Sequence, residues 1–155
     1  MPAPRIVNRF LWLTLLIVLF DQLAPAQNKG FGLGIIVGDP TGLSGKQWLS
    51  RQTAIDVGLA WSFRNNGYVN LHADYLWHFE SAITSSERFV PYVGVGGRLG
   101  TGSSTRLGVR IVGGLAFWPH EAPFDVFIEI APIMDLVPST TLTANGGIGA
   151  RFFFR

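Results

Sequence analysis

The chain has 155 residues, enough for one domain, with 48% hydrophobic and only 14% charged residues and a net charge of +2. A soluble domain carries about 25–35% charged residues on its surface alone, so this composition speaks against a surface that faces water everywhere. The small, scattered positive balance speaks against nucleic acid as a partner, and the lack of cysteine excludes a disulfide framework and any thiolate metal site.

The N-terminal segment has the layout of a targeting signal. Arg5 and Arg9 give a basic start, Phe10 to Phe20 is an apolar run, and Ala24-Pro25-Ala26 supplies the small residues that a signal peptidase reads. The run is well short of the roughly 20 residues of a spanning helix. Residues 1–26 are therefore expected to be a cleavable signal peptide, cut between Ala26 and Gln27, and residues 27–155 the mature domain. An uncleaved anchor is the alternative. No later stretch is apolar enough for a spanning helix, so a membrane location for the mature chain requires a closed barrel, the other structure that satisfies every backbone group in lipid.

From residue 30 onward hydrophobicity alternates with period two, which predicts strands. They are expected, in chain order, near residues 30–38, 41–49, 53–63, 68–78, 89–99, 105–118, 124–136 and 142–154. Turn chemistry separates them: Asp39-Pro40, Ser50-Arg51, Asn65-Asn66-Gly67, and residues 100–104, 119–123 and 138–141. Most of these strands match or exceed the length of a tilted membrane-spanning strand, and eight is the smallest usual number for such barrels. The expected fold is all-β: an eight-stranded antiparallel up-and-down transmembrane β-barrel preceded by the signal peptide. The longest connection, about Phe79 to Arg88, falls at the end that holds the mature N-terminus. That departs from the usual barrel, whose loops are longer at the opposite end.

The two faces of each strand differ in kind. One carries Val, Ile, Leu and aromatic residues; the other carries Gly, Ser, Asn and the charges. A soluble barrel would turn the apolar face inward and leave a Gly-rich outer surface with almost no lysine, since Lys29 and Lys46 are the only two. A membrane barrel turns the apolar face to lipid and uses the small residues to fit a narrow interior. Aromatics support the second arrangement. Phe31, Trp48, Trp77, Phe89, Trp118, Phe124 and Phe154 fall near one rim, and Trp61, Phe63 and Tyr68 near the other, as aromatic girdles would.

The inward face is expected to carry Lys46, Asp56, His72, Asp74, Arg98, Arg110, Glu129 and Arg151, with Arg106 and Asp135 nearer the ends. Unpaired buried charges cost several kcal/mol, on the order given by desolvation of an isolated ion, so these groups should pair. Turn spacing predicts a Lys46–Asp56–Asp74 cluster and an Arg110–Glu129 pair across the next-to-last hairpin. Two functions fit such a lumen: a salt-bridged plug with a structural role, or a narrow conduit gated by ion pairs. A third reading is a lipid-modifying outer-membrane enzyme: a hydrolytic set of His72, Asp74 and Ser44 or Ser62 can be drawn, but its spacing has no specificity, and no catalytic residue is assigned. The 3 histidines show no metal-ligand spacing, and no metal or cofactor is expected. Gly94-Val95-Gly96-Gly97 and Gly146-Gly147-Ile148-Gly149 lack the following helix that a phosphate loop needs, and fit strand interiors instead.

Gly149-Ala150-Arg151-Phe152-Phe153-Phe154 resembles the terminal-strand signal, Gly-x-x-aromatic-x-aromatic, that the outer-membrane barrel assembly machinery reads; here Arg155 follows the final aromatic. The arrangement as a whole resembles small outer-membrane barrels of the OmpA transmembrane-domain and OmpW-like type. Asp39-Pro40-Thr41-Gly42-Leu43-Ser44, Leu71-His72-Ala73-Asp74-Tyr75 and Glu129-Ile130-Ala131-Pro132 are similar to segments of a family of predicted bacterial barrels. That resemblance implies outer-membrane lipid and the assembly machinery as partners, with Gly149, Phe152 and Phe154 as the assembly signal. It carries no activity.

Overall fold

Alternation of β-branched, aliphatic and aromatic residues with small or polar ones suits a sheet whose two faces meet different surroundings. In a computed structural model, which describes residues 30–62, 68–85, 87–120 and 122–154, this alternation becomes eight strands. They are β1 (Phe31–Asp39), β2 (Gly42–Trp48), β3 (Thr53–Ser62), β4 (Tyr68–His78), β5 (Phe89–Thr101), β6 (Arg106–Phe117), β7 (Phe124–Val137) and β8 (Thr141–Phe154). The signal segment, the Asn65–Gly67 turn and Phe63 lie outside the described residues.

Each strand pairs antiparallel with the next, and β8 returns to β1 in register from Phe31↔Phe154 to Asp39↔Gly146. The sheet is a closed up-and-down barrel, so among the described residues no strand edge is left open. One irregularity occurs between β6 and β7. Leu107 faces Val137 and Gly108 faces Asp135, leaving Leu136 as an extra residue in β7. The expected strand limits agree with the observed ones to within about two residues.

The core sits inside the barrel. Every strand carries large apolar side chains at outward positions that stay exposed, such as Ile35, Leu43, Val57, Leu71, Val95 and Ile130, interspersed with small residues such as Ala73 and Gly97. The inward positions are buried and of two kinds. Near the end where β1 begins and β8 finishes, the lumen is filled by Trp48, Leu76, His78, Val90, Tyr92, Trp118 and Phe127. Further in, charged side chains take over.

Trp48 and Trp118 correct an expectation. They lie at the expected rim but point inward, each only 6% exposed, while Phe31, Trp77, Phe89, Phe124 and Phe154 point outward. Parity is the reason: Trp48 is two residues from the inward Lys46, and Trp118 two from the inward Ala116. The two indoles meet edge to face at 5.4 Å and stack around His78 at 4.4 and 5.8 Å, forming an aromatic floor.

Candidate functional site: the charged lumen

Barrel closure brings together residues far apart in sequence. Lys46 of β2 is directly opposite Asp56 of β3, which is directly opposite Asp74 of β4. His72 lies two residues from Asp74 on the same face, opposite Gly58 on one side and Arg98 on the other. The structure places Lys46, Asp56, His72, Asp74, Arg98, Arg110, Glu129 and Arg151 all buried inside. Arg106 is exposed at the end of β6, and Asp135 is buried.

Adjacency in the sheet does not decide the pairing. Lys46 does not bridge Asp56: its Nζ donates to Nε2 of His78 at 3.1 Å and lies 3.8 Å from Asp125, held over the Trp48 and Tyr92 rings at 5.3 and 5.2 Å. Asp56 is bound instead by the Nη1 of Arg151. That guanidinium also donates through Nε to Asp125 at 3.0 Å, and lies over the Phe127 ring at 3.9 Å. Asp74 pairs with Arg110, whose Nε is 3.0 Å from Oδ2. The expected Lys46–Asp56–Asp74 cluster is therefore replaced by pairs that reach across the lumen. An arginine stem spans the interior, whereas neighbouring short aspartates and a lysine drawn toward the aromatic floor do not meet.

The Arg110–Glu129 contact is present at 3.4 Å, and Tyr92 Oη donates to the other Glu129 oxygen at 3.0 Å. Toward the opposite end Arg98 pairs with Asp135 and reaches Thr143 at 3.2 Å and Asn145 at 3.5 Å. Among the described residues the ion pairs of the lumen thus form three groups along the barrel: Lys46–Asp125–Arg151–Asp56, Asp74–Arg110–Glu129, and Arg98–Asp135. Charge pairs of this kind are tolerable inside where each ion has a partner and added hydrogen bonds; Arg151, Arg98 and Glu129 have them, whereas Asp74 has its ion pair with Arg110 and an Oδ1 without a hydrogen-bond partner.

Sequence reasoning missed Asp125, Tyr92 and His78. Asp125 had a legible signal: it is four residues from Glu129, hence on the same face, and directly opposite Arg151. Tyr92 and His78 had none beyond strand parity.

Glycines make room for these large groups. A Cβ on Gly58 would strike the His72 ring, one on Gly114 the Tyr92 ring, and one on Gly149 the Phe127 ring. Gly149, expected as part of an assembly signal, therefore also has a packing role. Phe152 and Phe154 point outward and meet edge to face at 5.4 Å. Comparison of the chain with protein-family models, curated proteins and solved structures gives no match. No match supports the expected resemblance to OmpA- and OmpW-type proteins; the chain itself forms a closed eight-stranded antiparallel barrel.

Proposed function

We propose that the protein is a small outer-membrane barrel, delivered by a cleaved signal peptide, whose lumen is plugged by its own side chains and whose role is structural, in the integrity of the envelope. The observation that carries this reading is the inversion of polarity: apolar side chains are exposed around the whole barrel, while arginines, aspartates, a glutamate and a lysine fill the centre. Soluble monomers rarely keep a contiguous apolar surface of this kind in water, and it suits a hydrocarbon surrounding. The plug follows from size. Eight strands enclose a space just wide enough for side chains, and here the Arg151, Arg110, Tyr92 and Phe127 side chains occupy it. The terminal aromatics suit recognition by the assembly machinery.

The test begins with location. The folded chain should fractionate with the outer membrane and run faster on gels unheated than boiled. In planar bilayers the purified protein should then give no steady conductance. A soluble periplasmic product overturns the membrane reading. Sustained open events altered by Asp56→Asn or Arg110→Gln replace the plug with a conduit.

A further inference from the structure

Asp56 and Asp74 face each other directly across β3 and β4, both buried in the lumen. Like charges at directly opposed positions destabilise a sheet, and exclusion of water strengthens their repulsion. Each aspartate has a guanidinium, Arg151 for Asp56 and Arg110 for Asp74, yet neither arginine answers the whole cluster. Oδ1 of Asp74 has no hydrogen-bond partner, and neither has Nδ1 of His72, although Asp74 is 3% and His72 5% exposed. Unsatisfied groups this deeply buried call for a ligand, since each otherwise costs about 1–3 kcal/mol. One carboxylate oxygen from each aspartate and one ring nitrogen of His72 lie within 4.8 Å of one another.

The charge of the lumen points the same way. Among the described residues four buried cations, Lys46, Arg98, Arg110 and Arg151, stand against five buried carboxylates, Asp56, Asp74, Asp125, Glu129 and Asp135.

We propose that Asp56, His72 and Asp74 bind one divalent transition-metal ion of the zinc type. Two carboxylate oxygens and an imidazole nitrogen are a ligand set that Zn²⁺ accepts at about 2.0–2.2 Å, so modest side-chain rotation closes the three atoms onto one ion. All three ligands stand on one hairpin of the barrel, which fixes their backbone positions. Arg110 on the far oxygen of Asp74, and Arg151 on Asp56, are the outer partners that orient ligating carboxylates. Gly58 and Gly96 leave the space, because a Cβ on the first would strike the His72 ring and one on the second Oδ1 of Asp74. Three protein ligands leave a fourth position for water, and hydroxide there would balance the lumen charge. The inference concerns the lumen alone and does not depend on where the barrel resides.

The test uses the full chain purified in detergent, stripped with EDTA and titrated with Zn²⁺ or Co²⁺. One zinc per chain should survive gel filtration, Co²⁺ should give visible d–d absorption, and Zn²⁺ should raise the thermal midpoint. His72→Gln and Asp74→Asn should each weaken binding at least tenfold, whereas Glu80→Gln, in an exposed loop, should bind as the parent does. Absence of retained zinc together with absence of d–d bands in the parent protein overturns the proposal, and that measurement stands even where a variant fails to fold. Undiminished binding by folded His72→Gln and Asp74→Asn overturns it equally.

Discussion

Arg151 joins more of the lumen than any neighbour in its ion-pair group. It bridges Asp125 of the preceding strand and Asp56 across the barrel, and its Nη1 is 3.4 Å from Ser44 Oγ. Replacing it with Met keeps the bulk but leaves two buried carboxylates with Lys46 as the remaining cation of the group. Removing one partner of a buried pair costs about 3–5 kcal/mol, because the other charge stays behind. Arg88→Met breaks a pair of the opposite kind. Arg88 reaches Glu80 at 3.2 Å, but both side chains are exposed, so the expected cost is below about 1 kcal/mol. Equilibrium urea unfolding of the folded barrel in lipid vesicles compares the two. Equal midpoint shifts would show that the lumen is not the low-dielectric interior described above. The inward charges were legible in the sequence because parity assigns each to a face. Their partners were not: Lys46 turned to His78 and Asp125 because side-chain reach across a lumen, rather than strand adjacency, sets the distance.

At the scale of a strand, one residue of offset exchanges the two environments. Gly113 and Gly114 of β6 show this within a single dipeptide. A Cβ on Gly113 meets nothing within 4 Å, whereas one on Gly114 enters the Tyr92 ring and approaches the Ile128 carbonyl oxygen at 2.7 Å. Gly113→Ala should therefore be neutral or stabilising by up to about 1 kcal/mol, through loss of unfolded-chain freedom. Gly114→Ala should cost about 1–3 kcal/mol by overpacking. It should also change the near-ultraviolet circular dichroism, since Tyr92 must leave Glu129. Matching effects of the two variants would mean that the β6 parity is wrong. The strands themselves were easy to read, as alternation and turn residues agree along the chain. The aromatic floor was harder. Trp48 and Trp118 lie where girdle residues belong, and only the parity of Lys46 and Ala116 reveals that they turn inward. The bulge at Leu136 left no mark, because both Leu136 and Val137 are apolar and exposed on either side of the register shift.

For the whole molecule the decisive quantity is the free energy of a charge on the outer surface as a function of height. Closure of β8 on β1 is a property of the backbone and is equally compatible with water or lipid outside. The composition argued for lipid, but composition reports an average over the surface, not a medium. Ile130 stands midway along β7 and is 62% exposed, while Val137 ends the same strand and is 42% exposed. In a bilayer, arginine at mid-height costs about 2–4 kcal/mol and near an interface about 0–1. In water both substitutions exchange an exposed aliphatic group for a charge and should be nearly neutral. Ile130→Arg should consequently lower the stability of the refolded barrel in vesicles by about 2–4 kcal/mol, and Val137→Arg by no more than about 1. Both side chains leave the lumen untouched, so the difference isolates the surroundings from the packing. A flat profile, with both variants near the parent, would remove the hydrocarbon from around the barrel while leaving its fold and its internal ion pairs as described.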